Sequence, residues 1–233
     1  MELLRREGLS LVDAAICMEA QFEANGYNGS STAPALLMSP GDVPIVISAA
    51  HAVNHPREGQ IKFAEILTGA LVLQLASLTQ TSALVYARTS GEDPSYDIDC
   101  SYKRQLLQLV KSTSARFVLD LHGLGQWRSE DLAIGTAFGT TLGQRLEIRD
   151  IFIQELTKGG FANILIDHPT RFNASRPTTI TSFVWRELGV PALQLEVHRK
   201  YRNLEEAPED YLRMLYTLCN GIQAVQWVLE NVK

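Results

Sequence analysis

The sequence predicts an α/β fold: three αβα layers around a mixed, mostly parallel sheet. Three observations predict it. Short apolar runs flanked by polar residues recur along the chain. Stretches with helical spacing of apolar residues separate them. The 233 residues, 45% of them hydrophobic and 20% charged, suffice for one domain with a sizeable core.

The elements follow in order. Residues 44–50 (PIVISAA), preceded by Gly41 and Asp42, read as a buried strand. Residues 60–78 carry Ile61, Ala64, Leu67, Leu71 and Leu75 along one face and read as a helix. Residues 82–88 read as a strand, 102–112 as a helix, and 116–121 (RFVLDL) as a second buried strand ending at His122. Residues 142–158 read as a helix stopped by Gly159 and Gly160. Another helix over 179–187 closes at Gly189 and Pro191, and 192–197 (ALQLEV) is a third strand. A final amphipathic helix covers 208–230, with Pro208 near its start. Alternating strands and helices imply a parallel sheet covered on both faces. No linker or repeat interrupts the chain, so residues 1–233 read as a single domain.

Composition narrows the function. A formal net charge of -5 provides no basic face for nucleic acid. Mean hydropathy is near zero, and the longest apolar stretch, around residues 70–76, is too short to span a bilayer. Cys17, Cys100 and Cys219 are odd in number and far apart, so neither a disulfide framework nor a zinc knuckle is indicated. Cys100 has no placed histidine partner and is not favoured as a nucleophile. The opening MELLRREGLS lacks the apolar core of a signal peptide. The expectation is a protein of the cytoplasm.

Ligands of such sheets bind outside the carboxyl ends of the strands. Three of the inferred strands end in His51, His122 and Glu196, residue types that a metal hydrolase needs. His122 lies in DLHG, residues 120–123. Asp120, two positions earlier, shares its strand face. It is expected to brace a neighbouring element, with an approach to His122 as the alternative. A catalytic zinc takes three protein ligands and leaves a position for water. The third ligand is open among Glu58, Glu65 and His55. Glu196 alternates away from Leu193, Leu195 and Val197, which turns it to a site and suits it to general acid–base work. Arg88, Lys103, Arg128 and Arg171 lie in polar, turn-rich stretches and are candidate partners for a substrate carboxylate. The run 88–103 (RTSGEDPSYDIDCSYK) reads as a site loop. No GxSxG elbow, P-loop, GxGxxG or HExxH is present.

The order of His51 after a strand, a glutamate near the next helix, Arg88, Asp120–Leu–His122 and Gln194–Leu–Glu196 resembles the N-formylglutamate amidohydrolase family. The resemblance covers roughly residues 40–205 and is strongest at SAAHAVN (48–54), LDLHG (119–123) and LQLE (193–196), followed by Tyr201. It implies a zinc carboxypeptidase-like fold of the phosphorylase/hydrolase type. It also implies one Zn2+ per chain, held by His51, Glu65 and His122. Glu65 matches the family acid better than Glu58. The histidine–glutamate spacing departs from the HxxE of carboxypeptidase relatives: Asn54 stands three after His51, while His55 to Glu58 reads HxxE further on. Glu196 would be the catalytic carboxylate, with Arg88 steadying the oxyanion. Where the family often has an Asn–Arg pair, this chain has Asp97 to Lys103, which makes Lys103 a substitute. Arg128 and Arg171 complete the substrate-binding candidates. The implied activity is hydrolysis of the amide bond of a small acidic N-acyl amino acid. A metallopeptidase acting on short or γ-linked peptides is the first alternative, and a non-catalytic binding protein on a hydrolase scaffold the second.

Overall fold

A computed structural model describes residues 10–231 of the chain. The signal-peptide reading rests on residues 1–10, of which all but Ser10 lie outside the described residues. Seven strands form one sheet in the order β1-β5-β2-β6-β9-β7-β8. They are β1 (Leu36–Ser39), β2 (Val43–Ala49), β5 (Thr81–Tyr86), β6 (Phe117–Leu124), β7 (Leu132–Gly135), β8 (Ile164–Ile166) and β9 (Ala192–His198). A separate hairpin pairs β3 (His55–Arg57) with β4 (Gln60–Lys62). The central strands β5, β2, β6 and β9 run parallel, while β1 and β7 join antiparallel. This is the mixed, mostly parallel sheet that the sequence predicts.

The helices are α1 (Leu11–Tyr27), α2 (Thr68–Thr79), α3 (Ser101–Ser112), α4 (Glu147–Lys158), α5 (Ile180–Leu188) and α6 (Pro208–Asn231). One layer holds α1, α2, α4 and α6, which pack on one another; α3 and α5 pack together against β5, β6 and β9. Strands β2, β5, β6 and β9 are buried on both faces. That explains why they read as continuous apolar runs rather than alternating ones. No helix among the described residues is long and apolar enough to cross a membrane. The three cysteines are free.

Two expected helices change. The one expected over 60–78 begins at Thr68. Glu58 and Gly59 take positive φ (50° and 74°) and turn the chain into the β3–β4 hairpin, and Leu67 at φ 68° closes the loop before α2. Ile61 is 59% exposed and belongs to the hairpin, so its helical spacing is coincidental. Leu71 and Leu75 are buried as the helical pattern requires. The helix expected over 142–158 begins at Glu147, after a 3₁₀ turn at Thr140–Leu142. Gly143, at φ 58° beneath the Trp185 ring, separates the two. Helix α1 has no counterpart in the sequence-based elements, although Ser10 and Asp13 form a capping box at its start.

Growth of the sheet reverses around β2. The chain passes from β2 to β5 on one side, then through α3 to β6 on the other. The resulting crevice lies at the carboxyl ends of β2 and β6, where ligands of open α/β sheets bind.

Candidate functional site

Three neighbouring parallel strands deliver side chains to that crevice. His51 follows β2, His122 lies near the end of β6, and Glu196 lies near the end of β9. His122 and Glu196 are register partners. Glu65 comes from the loop between β4 and α2, and its backbone amide donates to the His51 carbonyl at 2.8 Å. That bond folds the loop back onto the end of β2.

The three donors converge. His51 Nδ1 lies 3.2 Å from Glu65 Oε1, His122 Nδ1 lies 3.0 Å from Glu65 Oε2, and the two Nδ1 atoms are 3.2 Å apart. One ligand atom from each residue falls within 4.8 Å of the others. The outer ring nitrogens are both engaged by buried carboxylates. His51 Nε2 donates to Asp93 Oδ1 at 3.0 Å, and His122 Nε2 donates to Asp120 Oδ2 at 2.9 Å. Carboxylates only accept, so in each neutral ring the hydrogen is on Nε2 and the Nδ1 lone pair faces inward. Two lone pairs and a carboxylate facing one another repel unless a cation lies between them. The donor chemistry therefore fits a divalent metal such as zinc.

Without an ion, the local electrostatics favour a protonated His122, whose Nδ1 proton a bound metal would displace. Burial opposes charge on His122, yet Asp120 and Glu65 outweigh it and hold the imidazole pKa well above its usual value. Burial also opposes charge on Glu65, but Lys62 and the two histidines hold its carboxyl well below the ordinary range. Lys62 Nζ donates to Glu65 Oε1 at 2.8 Å, and the Gly123 amide donates to Oε2 at 2.9 Å. Asp93 is fully buried; burial disfavours its charge, but His51 and Arg57 hold its pKa far below normal. Asp120 has both roles raised from sequence: it takes the His122 hydrogen bond and also a bond from Ser48 of β2.

Glu196 is 7% exposed and sits beside this cluster. Burial pushes its carboxyl up to about 7. Gln194, on the same strand face, donates to Glu196 Oε1 at 3.0 Å and fixes the carboxylate. A group with a pKa near neutrality is suited to exchanging a proton in both directions.

A cavity of about 840 Å³ opens over these residues. Its walls carry Arg57, Lys62, Arg128, Arg171, Arg176, Arg199 and Arg202, whereas its carboxylates are Glu65 and Glu196. A chain with net charge -5 thus concentrates positive charge in one cleft, which favours an anionic ligand. Arg128 makes no side-chain hydrogen bond among the described residues and lies over the Phe172 ring at 5.1 Å. Arg171 pairs with Glu130 at 2.5 Å, and its Nε is buried without a partner. Arg202 is buried; desolvation lowers its pKa to about 10, which leaves it charged at neutral pH.

The structure brings His51, Glu65, His122, Glu196, Arg128 and Arg171 to this cleft. It does not bring Arg88 or Lys103 there. Arg88 Nε is spent on the Ala33 carbonyl at 3.0 Å, beyond β5. Lys103 is buried under α5, with its ammonium on the Asp97 carbonyl and over the Phe183 ring. Both are ends of the polar run 88–103, whose contributions to the site are instead Asp93 and, on the cavity wall, Ser95. The other ligand candidates also fall away. Glu58 is at the hairpin turn and accepts from Tyr96, while His55 donates from Nδ1 to the Glu92 carbonyl at 2.6 Å. Sequence reasoning did not find Asp93, Gln194, Arg176, Arg199 or Arg202. Only Gln194 carried a signal, its two-residue spacing from Glu196 on one strand.

No family model matches this chain, and no curated protein matches it in sequence. Solved structures do match. A bacteriophage poly-γ-glutamate hydrolase aligns over 86% of this chain and 93% of its own length, at 16% identity and a TM-score of 0.58. The fold is zinc carboxypeptidase-like. A metallo-carboxypeptidase of Pseudomonas aeruginosa aligns over 85% of this chain at 14% identity and a TM-score of 0.52, and the match spans 61% of that enzyme.

Proposed function

We propose that this chain is a zinc-dependent amidohydrolase that cleaves the amide bond of a small acidic N-acyl amino acid, N-formylglutamate-like in character. The observation that carries this reading is the convergence of His51 Nδ1, His122 Nδ1 and the Glu65 carboxylate, each ring held from behind by a buried aspartate. Those three residues would hold the ion, which would supply Lewis-acid polarisation of the scissile carbonyl and activation of water. Glu196 takes the proton from that water and returns it to the leaving nitrogen, a role suited to a carboxyl near 7. Gln194 keeps the Glu196 carboxylate in place during both transfers. Arg128 and Arg171, on the cavity wall, receive the substrate carboxylate. Three free cysteines suit a reducing compartment, and we place the protein in the cytoplasm.

A second reading has its own support. The likeness to a poly-γ-glutamate hydrolase and a cleft lined by cations beyond Arg128 and Arg171 favour a γ-linked acidic peptide as substrate. Product analysis separates the two: formate or another simple acyl acid released together with the amino acid supports the first, and cleavage of a γ-linked peptide to shorter peptides or amino acids, with N-acyl amino acids left intact, supports the second.

The test is the metal content of the purified protein and of His122→Ala, with zinc, iron, cobalt and nickel scanned together. About one zinc per chain, lost in the variant, is the expected result. A wild type that remains metal-free after zinc is supplied would overturn the proposal.

A further inference from the structure

Arg202 is the bulkiest fully buried side chain among the described residues. It makes no ion pair there. Its guanidinium donates instead to three backbone carbonyls: Nε to Val197 at 3.0 Å, Nη2 to Leu124 at 3.1 Å, and Nη1 to Ile66. Each carbonyl adjoins the site. Val197 follows Glu196, Ile66 follows Glu65, and Leu124 lies two residues beyond His122. Pairing of β6 with β9 already joins two of these segments. The Glu65 loop belongs to no strand, and the guanidinium ties it to the other two.

The surroundings are shaped to this group. A Cβ on Gly123 would stand 2.4 Å from Nη2, so glycine leaves the room that the guanidinium needs. The same residue's amide donates to Glu65 Oε2. On the far side of the loop, Glu19 Oε1 accepts from the Leu67 amide at 2.7 Å and steadies the left-handed residue that ends it. Burying a cation without a counter-ion is costly even when its donors are met. A nonpolar side chain would fill the space at lower cost, so packing alone does not account for Arg202.

We propose that Arg202 is a positioning residue. Its planar fork fixes the Glu65 loop, the His122 strand and the Glu196 strand in one mutual geometry, and its charge stands behind the two carboxylates. The inference rests on the metal-site reading above. A lysine keeps the charge but has no rigid fork and cannot hold three carbonyls in fixed directions.

The experiment measures zinc affinity by chelator competition on folded protein, well below the unfolding midpoint, for wild type, R202K and Gly123→Ala. Thermal unfolding of the zinc-free proteins is followed alongside. The expected result is a zinc dissociation constant about 10- to 100-fold weaker in R202K, the range for loss of groups that orient metal ligands. Wild-type zinc affinity in R202K, with only a lower unfolding midpoint, overturns the inference and leaves the metal site standing. Should R202K not fold, Gly123→Ala carries the test, because it crowds Nη2 with the charge retained: weakened zinc binding supports the inference and unchanged binding overturns it. A wild type that takes up no zinc overturns the metal-site reading, and this inference with it.

Discussion

Glu196 faces His122 directly across the β6–β9 pairing, one register step from strand to strand. The proton-transfer group and a candidate ligand are therefore fixed by backbone hydrogen bonds and not by a loop. Substituting Glu196→Gln leaves that backbone unchanged and keeps a similar shape. The variant should hold zinc at wild-type stoichiometry while turnover falls about 10²- to 10⁴-fold, the usual contribution of a general base. Unimpaired hydrolysis by E196Q would remove Glu196 from the mechanism.

The raised Glu196 carboxyl fixes an acid limb. The base acts only when ionised, and burial lifts its pKa to about 7. In the free enzyme, kcat/KM should fall roughly tenfold per unit as pH drops below that value. A cation in the site attracts the ionised form and moves the limb to lower pH. A profile with no acid limb between pH 5 and 8 would contradict the assignment; that window is roughly where a base of this kind titrates.

Asp93 and Asp120 should matter for metal retention without touching the metal. Each accepts from the outer nitrogen of one histidine. Replacing either by Asn allows its amide to present a hydrogen to the ring and favours the wrong tautomer. Zinc affinity should drop about 10- to 100-fold in each single variant, read by chelator competition.

The cationic cleft yields a prediction about substrate binding. Arg128→Gln and Arg171→Gln should each raise KM for an acidic substrate about 10- to 100-fold with kcat little changed, since a hydrogen bond to a charged group contributes roughly 1.5–3 kcal/mol. Arg88→Gln is the control, because its guanidinium is engaged with Ala33 outside the cleft. Steady-state kinetics that single out Arg88 instead would reverse the assignment.

Leu121 lies fully buried between His122 and Asp120 in sequence and points into the core. Leu121→Ala should destabilise the fold by about 2–5 kcal/mol through lost burial and a residual cavity. Urea unfolding checks this, and a loss below 1 kcal/mol, roughly the level of a surface change, would mean that the core refills the space.

Much of the sheet was legible because β2, β6 and β9 are buried on both faces and read as unbroken apolar runs. His51, His122 and Glu196 were legible for the same reason, since a strand's end marks where a site can form. Glu65 was reached through resemblance, because its place depends on a left-handed turn at Leu67 and a backbone bond to His51. Neither leaves a periodic trace. Asp93 and Arg202 were invisible because their partners lie 42 residues away in one case and as far as 136 in the other. Arg88 and Lys103 misled for a related reason: a polar composition marks a segment as irregular, but not where each side chain goes, and Lys103 is buried under α5 while Arg88 turns to Ala33.

The β3–β4 hairpin stands apart from the seven-stranded sheet. Two charged contacts tether it to the site, Arg57 on Asp93 and Lys62 on Glu65. Its outer side chains Ile61 and the adjoining Phe63 are exposed on the cavity wall. A segment so attached can be lengthened, shortened or recoloured without disturbing strand order. Substrate choice can thus diverge among descendants of this chain through a few residues of rim, while the catalytic centre beneath is inherited intact.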